Sequence, residues 1–452
     1  MAASASQENV VDRSLFSLAW PVSITFAVGI AQPAMDMFFL AQVSEEAASG
    51  VGLLIPVFAA LMVLINTMGQ AGSVVAGQFL GAGRARLAHS TYAFLQSTMV
   101  GLGVVIGVVM IVLGGPIASV MGLSGEAAEH ATTFLRVLGC GMGARALWTS
   151  MINILASQGR TGWNLAASAV VLSINAVLNG LFLSDLLPWG GLGTFGVGLA
   201  TILSWMFVSL GLMFLLSRKL GYHPTWIDVE LGRRHALGML MRIGLPAMLE
   251  PIVYQLFQVA LASQVGRMEV VEQKARVFAM TLANIAVVFS YGPGFAAQIV
   301  TAHLVGAGRE DEVYRRLKRA TAYACLGALV CACTVAALSS WMLRGYTVNP
   351  LVIALGVKLL WIDAVLQPAK SANIALTFSL RSAGDSFFPA IVGSGLMWTL
   401  GLGLSLYFAW GLGWGVAGIW IGMACDEWVR SIVNAWRWKS GGWKGKGISR
   451  RM

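Results

Sequence analysis

Charge is what this chain has least of. Asp, Glu, Lys and Arg together make up 11% of its 452 residues, while 57% are hydrophobic. A soluble globular protein carries about 25% charged residues, so a water-soluble domain is excluded: no compact fold of this length hides so much apolar surface. Cysteine is also sparse. Cys140, Cys325, Cys331, Cys333 and Cys425 all lie inside apolar segments, and CAC at 331–333 has no partner ligands nearby. Packing is therefore their role, with no metal site implied. The opening stretch MAASASQENVVD holds no basic region, so no cleavable secretory signal is evident. Nor does the chain contain a nucleotide-binding P-loop, a zinc-protease helix or a nucleophile triad, and it reads as no enzyme.

Long apolar runs are what it has instead. A bilayer-spanning helix takes about 20 apolar residues, and twelve such segments can be traced. Their limits are 13–42, 47–79, 87–114, 128–156, 163–186, 193–217, 237–265, 275–304, 319–343, 350–379, 387–410 and 413–436. The short alternating segments of a transmembrane barrel are absent. The fold class predicted is an all-α integral membrane protein with twelve transmembrane helices.

The net charge is +10, from 30 Lys and Arg against 20 Asp and Glu, and its distribution tells what it is for. With both termini in the cytoplasm, Arg84, Arg86, Arg160, Arg218, Lys219, Arg233 and Arg234 fall on the inner side. So do Arg309, Arg315, Arg316, Lys318, Arg319, Arg381 and the tail from Arg437 to Arg451. The opposite loops VSEEAAS, SGEAAEH, LLPWGG and WGLGWG hold no base; Arg267, Lys274, Arg276 and Arg344 are exceptions. This is the positive-inside pattern. It points to a cytoplasmic-membrane protein touching anionic lipid and not to a nucleic-acid partner.

The chain repeats itself. Pro21 in WPVSITF answers Pro246 in LPAMLEP, GAGR stands at 81–84 and 306–309, Gly69 matches Gly294, and LASQG at 155–159 matches LRSAG at 380–384, all at an offset of 225. Two pseudo-symmetric six-helix lobes follow: residues 1–217 and 237–436, joined by a polar cytoplasmic linker at 218–236 and ending in a basic tail at 437–452. An even helix count starts both halves on the same side, the parallel-repeat arrangement of transporters. Transport is the leading reading.

In this order and spacing, Pro21 with Asp36 fifteen residues on, GQFLGAGR, AHLVGAGRE, ILASQGRTG, SLRSAGDS and INAVLNG resemble the multidrug and toxic compound extrusion (MATE) family over about residues 14–436. Its superfamily also holds lipid-linked oligosaccharide flippases. The resemblance implies export of cationic, often aromatic compounds by antiport against H+ or Na+, with no cofactor and the whole pathway in one chain. It places a cation-coupling carboxylate at Asp36 and an ion-binding one at Glu250. NorM-like relatives carry an acid where Lys370 stands, three residues after Gln367, and one branch has an Asp where Asn179 falls.

A charge at bilayer depth is costly and defaults to a functional hypothesis. In GIAQPAMDMFFLAQ, Pro33 cannot donate to the Gly29 carbonyl and precedes Asp36 by three residues; a loosened helix beside a carboxylate suits proton or Na+ binding. The alternative is an Asp that caps a broken helix. Asn175 and Asn179 lie one turn apart on one face, able to line the same cavity or to join helices; Asn153 is a further candidate. In the second lobe Glu250 sits between Pro246 and Pro251, with Tyr254 on its face. Asp363 either takes the role of the missing acid or has Lys370 as counter-ion; Lys370 otherwise pairs with Glu250 or snorkels. Arg145 lies 225 residues before Lys370. Asp426 and Arg430, spaced i, i+4, read as a structural pair, and His303 as a polar cap.

The reading is thus a cation-coupled exporter of organic cations, its cargo-binding and coupling residues being Asp36, Glu250, Asp363, Lys370, Asn175, Asn179, Asn153 and Tyr254. Pro33 and Pro251 are the helix kinks. No resident metal is implied, beyond Na+ at Asp36 or Glu250. The other open reading is a flippase or exporter of lipid-linked or anionic metabolites, which Arg145 and Lys370 favour.

Overall fold

The computed structural model describes residues 10–184 and 191–447. The first nine residues, most of the LLPWGG loop, and Arg450 and Arg451 lie outside the described residues.

Twelve helices run through them in the order the apolar segments predict: α1 (Leu15–Val43), α2 (Glu45–Gly81), α3 (Ala85–Val120), α4 (Gly125–Ser157), α5 (Thr161–Leu183), α6 (Gly193–Leu220), α7 (Trp226–Val265), α8 (Val270–Gly306), α9 (Glu310–Arg344), α10 (Pro350–Ser382), α11 (Phe387–Gly411) and α12 (Gly415–Lys439). The described residues contain no strand. Ten of the helices are long and apolar enough to cross a bilayer. The other two, α4 and α12, hold charges such as Arg145 and Arg430 along their length. On α3, Val104, Val105, Val108 and Val112 are exposed, a surface only acyl chains make favourable.

The chain falls into two compact units. The N-terminal unit comprises Thr25–Ala76 and Arg84–Leu240; the C-terminal unit runs from Met241 onward and takes in the chain up to Ile24 and Gly77–Gly83. Within the former, α3 packs on α4, and α6 on α4 and α5. Within the latter, α8, α9 and α10 pack mutually, and α12 lies on α10.

The sequence repeat is also a repeat of helix ends. Gly83 and Gly308 close α2 and α8 with φ of 72° and 71°, and their N–H groups donate to Leu80 and Val305. Gly159 and Gly384 do the same after α4 and α10. There Arg160 N donates to Leu155 O and Asp385 N to Leu380 O, both at 2.9 Å. These are the six-to-one bonds of a glycine-terminated helix, which a side chain at the left-handed position would strain. GAGR also packs tightly. A Cβ on Gly81 would overlap the His303 carbonyl, and one on Gly306 the Gln78 carbonyl. Residues 78 and 303 are themselves repeat equivalents, so the end of α2 meets the end of α8 reciprocally. His303 is accordingly buried in the last turn of α8.

Two departures from plain helices stand out. α11 contains π-helical turns at Met397–Gly401 and Tyr407–Gly411, where Gly418 and Gly422 of α12 bring backbone against Phe408 and Ser405. The basic tail folds back: Arg437 and Lys446 pair with the buried Asp385 at 2.8 and 2.6 Å. Trp443 buries against Trp438 and donates to its carbonyl.

Candidate functional site

In the N-terminal unit, α1, α5 and α6 bring four polar side chains together. Asp36 is 8% exposed. Asn179 Nδ2 stands 3.3 Å from Asp36 Oδ1 and 3.2 Å from Asn175 Oδ1. Thr201 Oγ1 lies 3.3 Å from each carboxylate oxygen and accepts from Asn175 Nδ2 at 3.0 Å. One turn of α5 sets the two amides on one face. Every donor to the carboxylate is neutral, and among the described residues no basic side chain forms an ion pair with it. Asn175 and Asn179 thus stand together with Asp36; Thr201 is an addition that a common helical threonine did not signal.

In the C-terminal unit a cavity collects Asp363, Asp426 and Glu427 with Lys370 and Arg430, and Tyr254 lines it too. Arg430 binds Asp426 at 2.7 Å and Glu427 at 2.8 Å, the i, i+4 pair read from sequence extended to a second acid. Asn373 Nδ2 donates to Glu427 Oε2 at 2.9 Å, and Gln367 Nε2 to Asp363 Oδ2 at 2.9 Å. Gln258 Nε2 donates to the Tyr254 hydroxyl at 2.7 Å.

Glu250 is not among the residues that line that cavity. Arg381 Nη2 pairs with Glu250 Oε2 at 2.7 Å, so the counter-ion of Glu250 is Arg381 and not Lys370. The sequence count treated Arg381 as a loop charge; it is instead 8% exposed in the last turn of α10. Asn153 donates to its own helix at the Thr149 carbonyl, 2.9 Å away. Arg145, the repeat counterpart of Lys370, lies over the rings of Trp148 and Trp205 at 4.5 and 5.5 Å and donates to Thr149. Neither Pro33 nor Pro251 ends its helix: α1 and α7 remain helical through both.

Two helical units built on one repeat, each burying polar groups along apolar helices, define a multi-pass membrane transporter of small molecules. The MatE family profile matches residues 21–181 and 246–407, and the chain belongs to this family, whose members are transporters and not enzymes. It is 26% identical to the uncharacterized transporter YisQ of Bacillus subtilis over 96% of each chain. With a probable multidrug resistance protein NorM of Mesorhizobium japonicum it shares 25% identity over 94% of this chain and 93% of that one. The fold is that of a point mutant of the Vibrio cholerae MATE transporter VcmN, at TM-score 0.87 and 15% identity, covering 94% of this chain and 96% of that one. It is also that of an outward-facing multidrug resistance MATE transporter, at TM-score 0.83 and 20% identity over 96% and 98% of the two chains.

Proposed function

We propose that the chain exports organic cations by antiport against H+ or Na+, with Asp36 as the group that binds the coupling cation. One observation carries this: among the described residues, the buried Asp36 carboxylate is hydrogen-bonded by the neutral donors Asn179 and Thr201 and ion-paired to none. Burying an uncompensated charge is costly. A proton or an alkali ion removes that cost when it binds and restores it when it leaves, so loading is tied to which state of the protein can shield the site. The C-terminal cavity, where three carboxylates face two bases, supports this cargo class, since that balance suits a cationic compound better than an anionic or lipid-linked one. Tyr254 supplies an aromatic face to it. A place in the cytoplasmic membrane with both termini inside fits the distribution of Lys and Arg, and a pathway held within one chain suits a monomer. One charge crossing 100 mV supplies about 2.3 kcal/mol, enough for roughly a 50-fold cargo gradient.

The test is efflux of a fluorescent organic cation from loaded vesicles under an imposed pH gradient and, separately, a Na+ gradient. Efflux driven by one gradient and lost in Asp36→Asn supports the proposal. No efflux under either overturns it and leaves an anionic or lipid-linked cargo.

A further inference from the structure

Lys370 lines a cavity rich in acceptors. Two acids on the same cavity differ: Glu427 shares Arg430 with Asp426, whereas Asp363 forms no ion pair among the described residues. Three oxygens on the same cavity have no hydrogen-bond partner although buried: Gln258 Oε1, Gln367 Oε1 and Asp426 Oδ1. Gln367 and Asp426 are each 1% exposed. Lys370 itself has no hydrogen bond or ion pair within 4.0 Å among the described residues, yet it lines the same cavity as Asp363 and Glu427. It sits seven residues after Asp363 and three after Gln367, on one face of α10.

Snorkelling is not open to it. Twelve residues separate Lys370 from Ser382 at the nearer end of α10, about 18 Å at the rise of a helix, far beyond a lysine's reach. A four-carbon stem with three rotatable donors can instead swing its ammonium among the oxygens around it. Buried acceptors call for a donor, and a carboxylate without a counter-ion calls for a cation or a proton; Lys370 is the cation and the donor at hand.

We propose that the Lys370 ammonium is a tethered cation: it neutralises Asp363 and donates to the unpartnered amide oxygens, doing inside this cavity what a bound alkali ion would otherwise do. The C-terminal cavity therefore takes up no free Na+. Removing the ammonium leaves one carboxylate and several oxygen ligands, the donor set of a hard monovalent cation. This inference concerns a different unit from Asp36 and stands independently of it.

The experiment is equilibrium binding of radioactive Na+ to purified full-length protein, with every sample carrying Asp36→Asn so that the N-terminal unit contributes nothing. The parent and Lys370→Arg bind no Na+ saturably. Lys370→Ala and Lys370→Met each gain about one Na+ per chain, and Asp363→Asn added to either abolishes the gain. Parent binding that Asp363→Asn removes would overturn the proposal, as would folded Lys370→Ala and Lys370→Met proteins that bind none. If both neutral variants unfold in choline chloride, NaCl must restore them; unfolding in both salts counts against the tethered cation.

Discussion

Asn179 Nδ2 stands 3.3 Å from Asp36 Oδ1, although 143 residues part them in the chain. The contact joins α1 to α5, and Thr201 adds α6 from the other side. Three helices of one unit thus converge on a single carboxylate using amides and a hydroxyl. Such donors support the charged form without cancelling it, as the proposed exchange of a cation at Asp36 requires.

Thinning that shell should weaken coupling in steps. Asn179→Leu and Thr201→Val each deprive the buried carboxylate of a donor, a loss of about 1–3 kcal/mol. Initial rates of gradient-driven efflux should fall by about tenfold or more in each, with the protein still monodisperse.

Glu250 should behave as half of an ion pair. Breaking a buried pair by removing one partner costs about 3–5 kcal/mol, so Glu250→Gln should lower thermal stability sharply by leaving Arg381 unpaired. Adding Arg381→Met should recover much of the loss. A double-mutant cycle of melting temperatures checks this; additive losses would show that the 2.7 Å contact does not couple the two.

Gly81 and Gly306 should be equally intolerant of side chains. Each presses against a backbone carbonyl across from it, His303 or Gln78. Backbone cannot yield as a side chain can, and overpacking costs about 1–3 kcal/mol. Gly81→Val and Gly306→Val should therefore lower thermal stability by similar amounts, in keeping with their equivalent places in the repeat.

The tail should be fastened chiefly through Asp385. Its carboxylate is 1% exposed and holds both Arg437 and Lys446, whereas the Lys444–Asp311 pair, at 3.4 Å, is exposed and worth about 0–1 kcal/mol. Asp385→Ala should expose the chain around Lys444 and Lys446 to trypsin. Asp311→Ala should leave its cleavage rate nearly unchanged.

Much of this was legible in the sequence because bilayers and repeats impose long-range regularity. Segment length alone delimits the helices, and the offset of 225 between the two GAGR motifs marks what prove to be matching glycine-terminated helix ends. Asp36, Asn175 and Asn179 are rare polar residues in apolar runs, so they identify themselves. Thr201 does not, since a helical threonine usually bonds its own backbone, as this one also does at Val197. Arg381 falls at the polar end of α10, and only the fold, which sets Glu250 of α7 2.7 Å from its guanidinium, reveals its partner. The π-helical turn at Tyr407–Gly411 lies where Gly418 of α12 lets backbone approach Phe408, a contact that no local pattern announces.

The central claim is that cargo and cation exchange at the expense of one another through Asp36. It is tested most directly by adding an organic cation to purified, weakly buffered protein and measuring release of protons, or of preloaded radioactive Na+. Wild type should release about one cation per chain and Asp36→Asn none. Equal release from both proteins, or none from wild type despite saturable cargo binding, would contradict the account.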